Sequence, residues 1–353
     1  MNDQQLMQQA IVLARHGQYS TRPNPCVGCV IVKDGRVIGE GFHPQAGQPH
    51  AEVFALRQAG EAARGATAYV TLEPCAHYGK TPPCAQALID AGVSRVVMAS
   101  LDPNPLVAGQ GRAMLEAAGI ATTVGVLEHE ARALNKGFLQ VMAGGRPFVR
   151  LKMAASLDGR TAMASGESKW ITGSEARLDV QHWRAMSGAV ITGINTVLAD
   201  DPSLNVRQLA GNFPVEQVVQ PLRVVLDRNS RFPLEAQLLQ QPAHLLLVGT
   251  LPEIAPHVEH WPDMSLASLL DQLKQQKQVY DVLVEAGPTL AGEFLRQNLV
   301  DELIVYLAPT LLGSQARPMF NLSLTQMCEQ YRLELQGLTQ VGADIRLILK
   351  PEV

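Results

Sequence analysis

Charged and aromatic residues are scarce in this chain of 353 residues. Charged residues make up 18% and aromatic residues 5%, and 29 basic against 33 acidic residues leave a net charge of −4. A protein that edits nucleic acid needs a basic channel and aromatic stacking surfaces, and this composition offers neither. We therefore expect no nucleic-acid partner and a small-molecule substrate instead.

Long apolar runs are also lacking. The first twenty residues are rich in glutamine and amphipathic, without the apolar centre of a signal peptide, and no later stretch has the length of a membrane span. Cysteine occurs only five times, and its usage is typical of metal binding rather than of a disulfide framework. These features predict a cytoplasmic protein without membrane contact.

The length predicts two domains, each with its own apolar core. Alternating helix and strand patterns stop at a breaker cluster, residues 143–147, and restart with a strand at 148. We therefore expect α/β domains at 1–145 and 146–353. Strands are predicted at 27–32, 37–41, 67–71, 95–99, 121–126, 148–155, 188–193, 222–227, 244–249, 279–285 and 302–307. Helices are predicted near 6–14 and at 50–63, 84–91, 110–118, 128–142, 174–187, 265–277 and 288–297.

The strongest chemical signal in the chain is the set His50, Glu52, Cys75 and Cys84. One imidazole and two thiolates fill three positions of a Zn²⁺ tetrahedron and leave the fourth for water. Glu52 follows His50 too closely to join the same ligand set, so it is predicted to carry protons from that water to a leaving amine. The order of these residues matches the zinc-dependent nucleobase deaminases.

The spacing of the two cysteines departs from that pattern, because eight residues separate Cys75 from Cys84 instead of two. Both sulfurs still reach one ion if Cys84 opens a helix, whose N-terminus also favours a thiolate. The alternatives are a closed metal site with His77 as fourth ligand, buried cysteines without a metal, and a zinc-stabilised protein without catalysis. Cys26 and Cys29 are expected to pack in the core rather than to bind a second metal.

The second half has no G-x-G-x-x-G after a strand, which disfavours a Rossmann dinucleotide site. A Gly-Pro pair at 287–288 instead opens a predicted helix after a strand, and the free N–H groups of such a start suit an anion. By itself the pair is also typical of an ordinary strand-to-helix connector.

Longer motifs resemble one family of bifunctional riboflavin-biosynthesis enzymes. They include Pro23-Asn24-Pro25, the segment from Pro74 to Cys84, Asp102-Pro103-Asn104-Pro105, and the runs 152–162, 170–173 and 193–207. This family joins a diaminohydroxyphosphoribosylaminopyrimidine deaminase to a 5-amino-6-(5-phosphoribosylamino)uracil reductase. The resemblance covers nearly the whole chain and weakens between 208 and 275 and after 320.

The resemblance implies a cytidine-deaminase-like three-layer domain followed by a dihydrofolate-reductase-like domain. It implies Zn²⁺ and NADPH as cofactors, and a phosphorylated pyrimidine that is first deaminated and then reduced at its ribosyl unit to ribityl. The expected assembly is a homo-oligomer, with a dimer favoured.

Site residues are carried over from the same resemblance. In the first domain, substrate contacts are expected from Asn24, His43 and Lys80, which alternatively serve as a turn cap, a loop residue and a solvated lysine. In the second, substrate contacts are implied for Ser168, Arg184, Leu204, Arg207 and Glu285. Coenzyme contacts are implied for Ala154, Trp170, Thr196, Asp200, Gly287, Pro288, Thr289, Leu290, Ala291, Gly292 and Glu293.

Three of the residues in the second half keep two interpretations. Lys152 either holds the opened sugar or donates a proton, or it is an outward-facing lysine of an edge strand. Trp170 also suits a core aromatic, and Asp200 an ordinary turn before Asp201-Pro202.

Overall fold

The computed structural model describes residues 1–76, 82–104, 108–241, 243–250 and 258–352. The chain divides into two compact units, Met1–Arg146 and Pro147–Val353. They are called the N-terminal and C-terminal units below, and each is described by itself.

The N-terminal unit contains a five-stranded sheet with the order β2-β1-β3-β4-β5, in which β1 is antiparallel to β2 and β3 and the other neighbours are parallel. Its strands are β1 (Gly28–Lys33), β2 (Arg36–Phe42), β3 (Thr67–Val70), β4 (Arg95–Met98) and β5 (Ala121–Val124). Its helices are α1 (Asp3–Arg15), α2 (Ala51–Ala59), α3 (Cys84–Asp90), α4 (Gln110–Ala117), α5 (Glu128–Ala133) and α6 (Lys136–Met142).

Strand β1 is buried on both faces, and its alternating side chains supply two cores. Cys29 and Ile31 pack with the alanines of α2, whereas Val30 and Val32 pack with α1. Helices therefore cover both faces of the sheet, as expected for a three-layer domain. Asp34 and Gly35 form the tight turn between β1 and β2, and both have the positive φ that such a turn needs.

Helix α2 lies unusually close to strand β2. A Cβ at Gly41 would collide with the carbonyl oxygen of Ala51, so only glycine lets the first turn of α2 approach the strand. That turn begins at His50, its N-cap, and includes Glu52. The close approach therefore sets the position of both chemically important side chains.

The single helix expected at 128–142 is wrong, because the chain forms α5 and α6 with a break between them. Asn135 leaves the helical conformation at φ −128° and ψ 31° and becomes the N-cap of α6. Its side-chain amide instead bonds the backbone of Cys26, accepting from the N–H at 2.7 Å and donating to the carbonyl at 2.9 Å. These long-range bonds outweigh the local helical preference.

The C-terminal unit contains a nine-stranded sheet with the order β11-β10-β9-β8-β12-β6-β13-β16-β15, counted over the described residues. Its strands are β6 (Phe148–Ser156), β8 (Ala189–Gly193), β9 (Leu222–Asp227), β10 (Leu245–Gly249), β11 (Val258–Trp261), β12 (Asp281–Glu285), β13 (Glu302–Ala308), β15 (Leu333–Val341) and β16 (Asp344–Pro351). A small pair is formed by β7 (Arg160–Ala162) and β14 (Arg317–Pro318). The helices are α7 (Ser174–Met186), α8 (Ile194–Asp200), α9 (Gln237–Gln240), α10 (Leu266–Lys277) and α11 (Pro288–Arg296).

The strands from β11 to β13 in this sheet run parallel, and two cores cover their faces. Val282 and Val284 pack with α10 and α11, whereas Leu283 packs with α7 and α8. The carboxyl ends of β6, β8, β9 and β12 therefore meet at one edge, which is where open α/β sheets usually bind ligands.

The last two strands of the sheet, β15 and β16, were not predicted from the sequence. They form an antiparallel hairpin around Gly342, whose φ is +63°, and β16 pairs with β13. The period-2 alternation of leucine with polar residues from Leu333 onward was a usable signal for this hairpin. Among the described residues, no helix has the length and apolarity to cross a membrane.

Replacing Asn135 by leucine should destabilise the N-terminal unit by about 1–3 kcal/mol, because the Cys26 N–H and carbonyl lose their buried partners. All three tryptophans lie in the C-terminal unit. In urea titrations the transition seen by far-UV circular dichroism should shift, while that seen by tryptophan fluorescence stays in place. His129→Ala, at an exposed position of α5, is the control. An unchanged dichroism transition would show that Asn135 does not carry this contact.

Candidate active sites

Three potential metal ligands converge in the N-terminal unit. His50 caps α2, Cys84 is the first residue of α3, and Cys75 lies in the segment after β3. Their donor atoms all lie within 4.8 Å of one another. The His50 Nδ1 is 3.3 Å from the Cys84 Sγ and 3.7 Å from the Cys75 Sγ. The structure thus assembles the His-Cys-Cys set across the longer spacer, and this donor chemistry suits Zn²⁺.

Glu52 is almost completely enclosed beside these ligands, with 3% of its surface exposed. Its Oε2 has no hydrogen-bond partner among the described residues, and the Cys84 thiol lies next to the carboxyl group. Burial raises the pKa of Glu52 above its ordinary value. A buried carboxyl group with a free oxygen and a raised pKa is suited to accept and return a proton.

The sulfur atoms of the site are polarised by one another and by the imidazole. The hydrogen bond with Cys84 is the main cause that lowers the pKa of the Cys75 thiol to about 4, and His50 acts in the same direction. The hydrogen bond with Cys75 raises the pKa of His50. These groups share protons that an incoming cation would displace, as expected for a metal site.

Two further residues lie together beside the ligands. The His43 imidazole is buried, contacts the His50 ring edge to face, and places its Nδ1 3.1 Å from the Pro49 carbonyl oxygen. That oxygen only accepts, so Nδ1 carries the proton and Nε2 accepts from the Asn24 Nδ2 at 3.0 Å. Burial lowers the pKa of His43, consistent with a neutral ring. Lys80 and His77 lie outside the described residues.

Glu73 was not identified from the sequence, although it lies two residues before Cys75. Its buried carboxylate accepts backbone N–H bonds from Asp102, Gly109 and Arg112 at 3.0–3.1 Å. It thereby ties the start of α4 to the Cys75 segment, and a Cβ at Gly111 would collide with the Pro74 carbonyl. Its partners are backbone groups, which no residue pattern reveals.

Cys26 and Cys29 are buried in the core, as expected from the sequence. Cys29 is fully buried in β1, and the Thr21 hydroxyl lies 3.5 Å from the Cys26 Sγ. Within the described residues, the His50 cluster is the one grouping of this kind with metal-ligand geometry.

A cavity of 1290 Å³ opens at the carboxyl edge of the sheet in the C-terminal unit. It brings together most of the residues expected to bind substrate or coenzyme there. These lining residues are Lys152, Ala154, Ser168, Trp170, Arg184, Thr196, Asp200, Leu204, Arg207, Glu285, Gly287, Pro288, Thr289, Leu290 and Glu293. Ala291 and Gly292 face away from it, because Ala291 is fully buried in the core and Gly292 packs against the backbone of Asn321.

A charged pair lies at the floor of this cavity. Arg184 donates two bonds to Glu285, from Nε at 2.6 Å and from Nη2 at 2.9 Å, and its Nη1 donates to the Asn205 carbonyl at 3.2 Å. Burial alone would raise the pKa of Glu285, but the charge and hydrogen bonds of Arg184 outweigh it and leave that pKa lowered. Glu285 is therefore an ionised acceptor.

Lys152 faces the same charged pair. The edge-strand interpretation of this residue is wrong, because β6 lies inside the sheet between β12 and β13. Burial lowers its pKa, opposed by the charge of Glu285. Its Nζ lies 5.9 Å from the centre of the Tyr306 ring, which adds a favourable cation–π contact.

The remaining polar residues line the walls of the cavity. Arg207 donates from Nη1 to the Ser203 hydroxyl at 3.1 Å, and Ser168 donates to the Asp200 carboxylate at 3.1 Å. Trp170 is 71% exposed and stacks under the Arg177 guanidinium at 4.4 Å, so its interpretation as a core aromatic is wrong.

Folds and sites together define a zinc-dependent deaminase domain followed by a reductase domain. The family model of the cytidine and deoxycytidylate deaminase zinc-binding region matches residues 1–100, and that of the RibD C-terminal domain matches residues 147–347.

The matches to full-length proteins identify the family. The riboflavin biosynthesis protein RibD of Escherichia coli is 50% identical, with 99% of each chain covered. The solved structure of Acinetobacter baumannii RibD superposes with a TM-score of 0.96 at 60% identity, and that of a Thermotoga maritima diaminohydroxyphosphoribosylaminopyrimidine deaminase/5-amino-6-(5-phosphoribosylamino)uracil reductase with 0.89 at 35%, each over 99% of both chains. The chain belongs to the RibD family, which confirms the resemblance and the fold class predicted from the sequence.

Metal content should depend on the three converging residues. Alanine at His50, Cys75 or Cys84 should each reduce bound zinc strongly, since each change removes one of three protein ligands. Cys26→Ala and the exposed Cys328→Ala should keep one equivalent, as should His77→Ala. Zinc per chain is measured by atomic spectroscopy after gel filtration. A full equivalent in Cys84→Ala, or loss in His77→Ala, would require another ligand set.

Proposed function

We propose that this chain carries out two consecutive steps of riboflavin biosynthesis. The first is hydrolytic deamination of 2,5-diamino-6-(5-phosphoribosylamino)pyrimidin-4(3H)-one. The second is reduction by NADPH of the ribosyl unit of 5-amino-6-(5-phosphoribosylamino)uracil to ribityl. The proposal depends mainly on the cluster of His50, Cys75 and Cys84 beside a Glu52 oxygen that has no partner among the described residues. The same chain also contains the cavity of the C-terminal unit.

His50, Cys75 and Cys84 hold zinc in the deamination site, and Glu52 moves the protons. Zinc, when bound, supplies a water of lowered pKa for attack on the amino-bearing ring carbon. Glu52 takes a proton from the attacking water and passes it to the ring nitrogen. It then takes the proton of the newly added hydroxyl group and gives it to the amino group, which leaves as ammonia. Burial supports this role because it raises the pKa of the carboxyl group above its ordinary value, which makes the group a better proton acceptor.

Asn24, His43 and Lys80 bind the substrate of the first step. The bond from Asn24 Nδ2 to His43 turns the other end of the amide, its oxygen, away from the imidazole and makes it available to a donor of the substrate. His43 thereby orients Asn24. Lys80 meets the phosphate as a point charge.

In the second site, Glu285 accepts hydrogen bonds from the hydroxyl groups of the sugar, and Arg207 binds the phosphate. The donors of Arg184 already serve Glu285 and Asn205, so Arg184 orients Glu285. Arg207 bonds a neutral hydroxyl and retains its charge for an anion. Lys152 lies beside Glu285 and holds or protonates the sugar oxygen as the ring opens. Ser168 and Leu204 complete the substrate contacts.

NADPH, when bound, would supply the hydride. Ala154, Trp170 and Asp200 line the cavity and would contact the coenzyme. Thr196 and the start of α11 form the phosphate cradle, where Gly287 is the N-cap and Pro288 the first helical residue. A Cβ at Gly287 would point toward the Thr196 hydroxyl, 3.9 Å away, and would narrow this gap.

The division of labour follows the two units, with the deaminase domain at 1–145 and the reductase domain at 146–353. The assembly we propose is a homodimer. Within the described part of the chain, β15 is the last strand of the sheet, and it exposes Leu335 and Leu338, a surface that suits a second copy. All five cysteines are free, which suits the cytoplasm.

Glu52→Gln should keep zinc but lose deamination by about a hundredfold or more, because the amide preserves the shape of the side chain and cannot carry the proton. The wild-type protein should convert the pyrimidine to the uracil intermediate without NADPH and to the ribityl product with it. Glu52→Gln should form neither from the pyrimidine, yet should still reduce the supplied intermediate at the normal rate. Normal deamination by zinc-replete Glu52→Gln would show that Glu52 does not carry these protons.

Glu285→Gln should leave deamination intact and weaken reduction, since it removes the charged acceptor without creating a cavity. Supplied with pyrimidine and NADPH, this variant should accumulate the ribosylamino-uracil intermediate, as followed by chromatography. Glu329→Gln, an exposed change in the same unit, is the control. Normal formation of the ribityl product would show that Glu285 does not make the proposed substrate contact. Accumulation of the unreacted pyrimidine would show that the two domains do not act independently.

A further inference from the structure

The cavity of the C-terminal unit continues past the residues assigned so far, toward the ends of β9 and β10. Its lining there combines apolar side chains, Leu226, Val248 and Leu269, with two arginines, Arg228 and Arg231. An apolar cleft with cations at its rim matches an aromatic base that carries a phosphorylated sugar.

The turn that carries both arginines is held by one buried carboxylate. Asp227, at the end of β9, is fully buried; its Oδ2 accepts from the Arg231 N–H at 2.6 Å and its Oδ1 from the Asn229 N–H at 3.3 Å. The backbone of Arg231 is therefore fixed before any ligand binds, which lowers the entropic cost of binding.

The Arg231 side chain points toward the phosphate cradle. Its Nη2 donates to the Asn195 Oδ1 at 2.9 Å, and Asn195 immediately precedes Thr196, which faces Gly287. An anion on the ribose adjoining the diphosphate would therefore come within reach of this guanidinium group.

The two arginines differ in how their charge is balanced. Arg228 forms an ion pair with Asp263 at 3.0 Å. For Arg231, no carboxylate within the described part of the chain lies at ion-pair distance, and its side-chain partner is the neutral amide of Asn195. Arg231 thus offers an uncompensated, forked cation to the cavity.

We propose that Arg231 binds the 2′-phosphate of NADPH and sets the preference of the reductase for NADPH over NADH. This inference rests on the proposed function, because it names the group that reads the coenzyme in the second site. Arg228, already neutralised by Asp263, contributes less.

The test measures nucleotide binding by calorimetry, without turnover. Adenosine 2′,5′-bisphosphate and 5′-AMP differ only in the 2′-phosphate. Wild-type protein should bind the bisphosphate about tenfold more tightly or better, the effect of a hydrogen bond to a charged group. Arg231→Gln should abolish this difference and leave 5′-AMP binding unchanged, Arg231→Lys should restore part of it, and Arg228→Gln should reduce it less. Arg332→Gln, an exposed change elsewhere in the unit, should behave as wild type.

Steady-state reduction gives the second reading. The ratio of kcat/KM for NADPH to that for NADH should fall in Arg231→Gln through a higher KM for NADPH. If Arg231→Gln keeps the wild-type difference in affinity between the two nucleotides, or binds both of them equally more weakly, the assignment of Arg231 is wrong while the proposed function stands. If the wild-type protein itself binds both nucleotides equally and reduces equally well with NADH, the proposed coenzyme is wrong as well.

Discussion

Buried carboxylates whose partners differ determine the chemistry of this protein. Glu52 has an oxygen without a partner in the described structure, and burial raises its pKa, so it is suited to exchange protons. Glu285 is also buried, but two bonds from Arg184 hold it ionised, so it is suited to accept hydrogen bonds. Glu73 gives its oxygens to backbone N–H groups and shapes a loop. Their different partners therefore suit the same functional group to three different tasks.

The positions of the site residues follow from the carboxyl ends of the strands in each unit. In the N-terminal unit, His50 and Cys84 occupy helix starts, and Cys75 lies in the segment after β3. In the C-terminal unit, Glu285 ends β12 beside Lys152 on β6, its register partner. Parallel strands bring their carboxyl ends to a common edge, and the free N–H groups of the following helices lie there too. Both sites follow from this geometry.

The arginines that line the cavity of the C-terminal unit differ in the partners of their guanidinium groups. Arg184 is committed to Glu285, Arg228 to Asp263, and Arg177 to the Trp170 ring. Arg207 and Arg231 bond neutral groups and keep their charge for ligands. Under the proposed function, a phosphorylated sugar and a phosphorylated coenzyme would therefore bind to separate arginines of one cavity.

Local patterns in the sequence were sufficient to single out His50, Cys75 and Cys84, which the fold brings together, and to predict most strands, because each depends on residue types at short spacing. They did not reveal the break at Asn135, whose amide bonds Cys26 across 109 positions, or the pairing of Arg184 with Glu285 across 101. The resemblance named the residues proposed for the second site, but only the fold showed that Ala291 and Gly292 face the core and that Arg231 lines the cavity. Contacts between residues so far apart in the sequence produce no periodic pattern, because the segments around the two partners have independent local sequence patterns.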